Sequence, residues 1–155
     1  VENTDLQLKM YYLSHTGKNL SSAALVKNTE NQYFVYLGDI GADRIEGTEQ
    51  LADLWKAIAP IIKEKRLKGI AIECSYSNEQ PENQLYGHLT PRLLTEEMEN
   101  LEKLVGEEGL KDLNLIITHI KPKKNIHQKV KNELNVLYKK GIKIIFAEQG
   151  KEINL

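Results

Sequence analysis

Apolar and polar residues alternate through 6–13 (LQLKMYYL), and this period of two predicts a strand. Segments 21–27 (SSAALVK) and 33–37 (YFVYL) predict two more, joined by the turn-like 28–32, while 14–20 reads as a polar turn. Three strands with short connections make an antiparallel meander whose first and third members point the same way. The period then changes. Leu51, Leu54, Trp55, Ile58, Ile61 and Ile62 recur at helical spacing, predicting a helix from Thr48 to about Arg66. Thr48 is its expected N-cap, and Pro60 is expected to kink or interrupt it.

Residues 69–74 (GIAIEC) form a short apolar run that predicts a buried strand. Thr90-Pro91 predicts the start of a second helix, a cap followed by proline, with Leu94, Met98, Leu101 and Val105 as its stripe. Residues 113–118 (LNLIIT) predict another buried strand. A third helix is expected over 125–140 on Ile126, Val130, Leu134 and Leu137, ending at Gly141, and 142–147 (IKIIFA) predicts the last strand. A meander followed by α-β-α-β-α-β implies parallel pairing with right-handed crossovers, hence an α/β layer structure with a mixed sheet. No repeat, low-complexity tract or Pro/Gly/Ser linker divides the 155 residues, so 1–155 reads as a single domain.

Composition narrows the partners only slightly. Twenty-one basic and 22 acidic residues leave a net charge of −1, which argues against holding nucleic acid by bulk charge and leaves a small anionic substrate open. The lone Cys74 excludes an intrachain disulfide and any CxxC metal site. No apolar run reaches the roughly eighteen residues that a membrane helix requires. The compartment is left open. Val1 in place of a methionine leads to the expectation that an upstream segment was removed.

The candidate chemistry stands at the ends of the apolar strands. His15 follows the first, Asp39 the third, Glu73 sits at the end of 69–74, and His119 closes 113–118. Open α/β sheets bind ligands beyond the carboxyl ends of their strands, so the four are expected to converge on one edge. Imidazole and carboxylate are ligands of hydrolytic zinc, manganese or iron, although each residue alone also suits a turn or a solvated strand end. The long segment 75–89 has no apolar period and ends near His88, as one wall of a pocket would.

Residues Ile72-Glu73-Cys74-Ser75, Gly87-His88-Leu89-Thr90-Pro91 and Thr118-His119-Ile120-Lys121-Pro122, in this order, resemble the class II 3′,5′-cyclic-nucleotide phosphodiesterases of the metallo-β-lactamase superfamily. The resemblance runs from about His15 to Pro122. It implies half of a metallo-β-lactamase-type αββα sandwich, the C-terminal half. It further implies hydrolysis of cyclic AMP or cyclic GMP to the 5′-nucleotide with two divalent metal ions, zinc first and manganese or iron as alternatives. By similarity His15, Asp39 and His119 are metal ligands, His88 contacts the scissile phosphate, and Glu73 orients the His88 imidazole.

One departure is large. The superfamily's His-x-His-x-Asp-His motif is absent from the sequence. The chain is therefore expected to pair with a missing N-terminal half or a second copy, and to have little activity alone. An RNA-end-processing endonuclease using the same site, and a non-catalytic half-domain that serves as an interaction module, are the competing readings. Several other signals are expected to be structural. His127 reads as a solvated first-turn residue, Asn125 with Gln128 as a capping box, and Cys74 as a small buried hydrophobe. Lys121, Lys123, Lys124, Lys129 and Lys131 read as a solvated basic face beside the phosphate site. Tyr86 is read either as a stacking platform for a base or as packing for its loop.

Overall fold

The alternating segments pair as their periods require. The computed structural model describes residues 2–17 and 19–155. Strands β1 (Gln7–His15), β2 (Asn19–Lys27) and β3 (Tyr33–Leu37) form the antiparallel meander. Strands β4 (Leu67–Glu73), β5 (Asn114–Thr118) and β6 (Lys143–Phe146) then add in parallel, giving one sheet of strict order β1-β2-β3-β4-β5-β6. The expected α/β class with a mixed sheet is what the chain adopts.

The sequential order has a geometric consequence. Right-handed crossovers between consecutive neighbours place every connecting helix on the same face of the sheet. One face therefore carries the core row of Leu25, Val35, Ile70 and Leu115, each at most 7% exposed, under α2 (Gln50–Lys63) and α3 (Pro91–Val105). The opposite face carries Leu8, Met10, Tyr12 and Tyr36, which are 49–76% exposed. Register puts Met10, Ala24, Tyr36, Ala71, Ile116 and Ile145 in one row across that second face, apolar throughout.

Several local expectations are corrected. Segment 14–20 is not all turn. The ladder runs on through Ser14↔Leu20 to His15↔Asn19, because backbone pairing needs no apolar side chain, and Thr16 and Gly17 turn at positive φ. Thr48 does not cap α2. Its hydroxyl donates to Asp43 in the short helix α1 (Asp43–Glu46), and the Asp43 carboxylate takes the free N–H groups of Leu51 and Ala52 at 3.1 and 2.9 Å. Pro60 leaves α2 continuous to Lys63, since it lies on the exposed side and the Lys56 position it would have bonded is also exposed.

Thr90 caps α3 as expected. The third helix divides into α4 (Ile126–Glu133) and α5 (Asn135–Lys139), parted at Leu134. Asn125 sits in the left-handed region with no side-chain cap, so the capping box does not form, and Gln128 bonds Asn132 instead. His127 is exposed as expected, and Cys74 is fully buried, which pushes its thiol up.

Between α2 and α3 the buried Trp55 indole donates to Glu97 at 2.9 Å. Desolvation holds the Glu97 carboxyl above the usual glutamate range, against the indole bond. A carboxyl raised in the folded state binds a proton there that the unfolded chain has released. Stability should therefore fall as pH rises from the ordinary glutamate range through the raised value. Denaturant titration across that window is expected to show the slope, and Glu97→Gln to flatten it. The same slope in both proteins would assign the titration to another group.

Candidate metal centre

Each strand-end residue is delivered by its own piece of the fold. His15 is the last residue of β1. Asp39 lies two positions beyond β3, after Gly38, whose N–H bonds Ser22 O at 3.0 Å. A Cβ on Gly38 would come within 2.8 Å of Ser21 Oγ, so a larger residue there would require the Ser21 side chain to turn away. Glu73 ends β4 and is 1% exposed. His119 follows β5 at φ 57, an uncommon backbone for this residue type that marks the abrupt end of the strand. His88 comes from the long 75–89 connection, which contains a single 3₁₀ turn at Glu82–Gln84.

The structure brings all five together. The His88 ring lies 5.0 Å from that of His15 and 5.2 Å from that of His119, centre to centre. His119 Nε2 is 3.4 Å from Asp39 Oδ2. One ligand atom each of His15, Asp39 and His88 lies within 4.8 Å of the others, close enough to share a cation after small adjustments. The metal set implied by the family resemblance contained His119 in place of His88. Here His119 flanks Asp39 at the solvent side, 41% exposed, while the buried His88 closes the cluster.

The hydrogen bonds define which ring nitrogens are available. A carbonyl only accepts, so the 2.9 Å contact of His15 Nδ1 with Gly87 O places the proton on Nδ1. His88 Nδ1 donates in the same way to Glu73 Oε1 at 2.6 Å. An ammonium only donates, so the 2.9 Å contact of Lys121 Nζ with His119 Nε2 leaves that nitrogen as the acceptor. In their neutral forms His15 and His88 therefore carry the lone pair on Nε2, and His119 turns its Nε2 lone pair to Lys121. For His15 and His88 this is the arrangement of metal-ligating histidines, whose second nitrogen bonds a carbonyl or carboxylate. The donor set fits a divalent cation.

Glu73 does more than face His88. Its two oxygens accept from His88 Nδ1, from the Ile40 and Leu89 N–H groups at 3.0 and 3.3 Å, and from Ser75 Oγ at 2.7 Å. Ile40 adjoins Asp39, and Ser75 also reaches His119 O at 3.0 Å. One buried carboxylate thus ties the loop after β3 to the loop after β4, which carries His88, and Ser75 stands between it and the loop after β5. Ser75 and Gly87 stand in the motif segments of the sequence without an assigned role. Gly87, at φ 77 and immediately before His88, was the readable hint. Tyr86, also at positive φ, is 66% exposed and does not pack its loop, while Tyr76 meets the His88 ring edge-on at 5.8 Å. Burial first, then the Glu73 charge, pushes the Tyr76 hydroxyl up.

Fold and site together define an α/β protein with a candidate metal-binding cluster at the carboxyl edge of its parallel strands. The sequence matches the class-II cAMP phosphodiesterases over residues 4–150, and the chain belongs to that family. It is 39% identical over 154 residues to the 3′,5′-cyclic-nucleotide phosphodiesterase of Aliivibrio fischeri, covering 97% of this chain and 46% of the relative. A probable 3′,5′-cyclic-nucleotide phosphodiesterase of Yersinia pestis is 38% identical over 152 residues, with 95% and 44% covered.

Among solved structures, unliganded yeast PDE1 superposes with a TM-score of 0.84 at 28% identity, covering 97% of this chain and 46% of that one. The match bears out the expected fold class, a mixed α/β sheet that corresponds to part of a longer chain. The chain spans about half the length of the curated relatives it matches. Among the described residues no helix is long and apolar enough to cross a membrane.

Proposed function

We propose that this chain supplies part of the active site of a metal-dependent phosphodiesterase that hydrolyses 3′,5′-cyclic nucleotides, cyclic AMP or cyclic GMP, to 5′-nucleotides. The observation that carries the reading is the meeting of His15, Asp39, His88 and His119 at one sheet edge with Glu73 behind His88. His15, Asp39 and His119 would hold divalent ions, zinc in the first instance with manganese or iron as alternatives. The metal, when bound, polarises the phosphate and lowers the pKa of a bound water.

The chain's own residues do the rest. Cleaving the P–O3′ bond leaves an oxyanion that needs a proton. An imidazole protonated on both nitrogens can deliver one from Nε2 while Nδ1 stays on the Glu73 carboxylate, which stabilises the charged ring. His88 has that seat. The 7% exposure of the residue keeps bulk water from competing for the bond to Glu73. Tyr86, standing out from the same turn, offers its ring face to the nucleotide base. Lys121 beside His119 adds positive charge where an anionic phosphate would lie.

The same geometry supports the reading of the chain as half of a larger domain. The apolar second face of the sheet is the surface against which a preceding half-domain, or a second copy of the chain, would pack to complete the site. The test uses the protein at its full family length. Hydrolysis of cyclic AMP and cyclic GMP is expected, without cleavage of RNA. His88→Ala is expected to lower kcat by roughly 10²–10⁴-fold while bound metal, measured by elemental analysis, is retained. Unchanged turnover would remove His88 from the reaction, and lost metal would make it a ligand.

A further inference from the structure

His15 is the only one of the three site histidines at the tip of a hairpin, and a hairpin tip is ordinarily among the more mobile parts of a fold. Its ring is held from one side by Gly87 O, at 2.9 Å. On the other side the flanking residues of the turn converge on one carboxylate. Ser14 Oγ donates to Glu46 Oε2 at 3.1 Å, and the Gly17 N–H donates to the same oxygen at 2.5 Å. The Gly41 N–H also bonds Ser14 O at 3.2 Å. Glu46 thus holds the chain on both sides of His15, at Ser14 and at Gly17.

The carboxylate is itself well fixed. Glu46 ends α1, which stops at Gly47 in the left-handed region with its N–H on Asp43 O at 2.8 Å. Asp43 anchors α1 to the start of α2 through Leu51 and Ala52. Arg44 forks onto Glu82 at 2.8 and 3.2 Å and reaches Glu96 of α3 at 3.1 Å. A four-residue helix has no intrinsic stability, so these side chains account for its position. Gly41 completes the seat, because a Cβ there would overlap the Glu46 side chain.

We propose that Glu46 is a positioning residue for the His15 imidazole, holding the hairpin tip so that His15 Nε2 stays in register with Asp39 and His88. It touches neither metal nor substrate. The inference rests on reading His15 as a metal ligand, and the test separates the two. Cobalt(II) titration of the full-length protein, read by visible absorption, reports the metal site. Histidine ¹H–¹⁵N spectra of the metal-free protein report whether His15 keeps its proton on Nδ1.

Glu46→Ala is expected to let His15 slip from Gly87 O, weakening cobalt binding by up to about 10–100-fold, the effect of losing a ligand's outer partner, and to lose the His15 Nδ1–H signal. Glu46→Gln keeps an acceptor oxygen for both donors and is expected to restore most of the affinity and the signal. Where Glu46→Ala does not fold, Ser14→Ala removes one of the two bonds and is expected to give a smaller loss in the same direction. Unaltered cobalt affinity and an unaltered His15 signal in Glu46→Ala would overturn the proposal. Equal losses in Gln and Ala would overturn it too, since charge rather than hydrogen bonding would then act. Failure of the parent protein to bind cobalt would sink the metal reading, and the His15 spectra would still decide the role of Glu46.

Discussion

Glu73→Ala is expected to give a protein that is both inactive and markedly less stable. The carboxylate accepts from the Ile40 and Leu89 N–H groups, from Ser75 Oγ and from His88 Nδ1, all in the interior. Truncation strands these donors. A buried donor left unsatisfied costs about 1–3 kcal/mol, and Ser75 alone has an alternative acceptor in His119 O. Glu73→Gln should separate the two roles. Its oxygen can keep Ile40 and His88, and its amide can face a rotated Ser75 hydroxyl, so only the longer Leu89 bond is sacrificed. The fold should survive, while the charge that stabilises a doubly protonated His88 is gone. A kcat loss of roughly 10²-fold or more with a nearly unchanged denaturation midpoint is expected. Equal stability losses in both variants would mean that the charge, rather than the hydrogen bonds, holds the loops together.

Gly87→Ala should be nearly as damaging to activity, by a different route. A Cβ at this position would lie 2.5 Å from Thr16 N and 2.6 Å from His15 Nδ1, and φ is 77, a backbone that L-residues rarely adopt. The turn must move away from the hairpin tip. The His15 Nδ1–H then loses the Gly87 carbonyl, and His88, one residue on, is displaced from Glu73. Metal affinity is expected to drop by about 10–100-fold, and turnover with it, while the core under α2 and α3 stays intact. Calorimetric metal titration with a parallel thermal melt checks this. Wild-type affinity in Gly87→Ala would show that the turn does not support the cluster.

Much of this architecture was readable along the chain. The period-two segments and the helical stripes are local features, and each strand and long helix appeared where its apolar residues recur. The strand-end rule also placed His15, Asp39, Glu73 and His119 on one edge, because in an α/β layer the carboxyl ends of the strands share a side. Capping was less readable. A cap is a hydrogen bond to whichever oxygen is nearest, and for α2 the nearest is Asp43, brought in by a helix too short to show a period. The break at Leu134 and the absent Asn125 cap likewise reflect backbone conformations that no spacing encodes.

The amino-acid order by itself determined the α/β class, the meander, the family, and which polar residues stand at strand ends. Tertiary structure alone decided the neighbours: that His88 comes in from a long aperiodic connection to lie on His15 and Asp39, that Gly87 O accepts a hydrogen bond from a histidine far away in the chain, and that one glutamate ties the loop after β3 to the loop that carries His88. The reason is physical. Periodicity reports how a segment meets water and core. Distances between loop residues depend on how whole elements pack, and those are written in contacts between segments rather than within them.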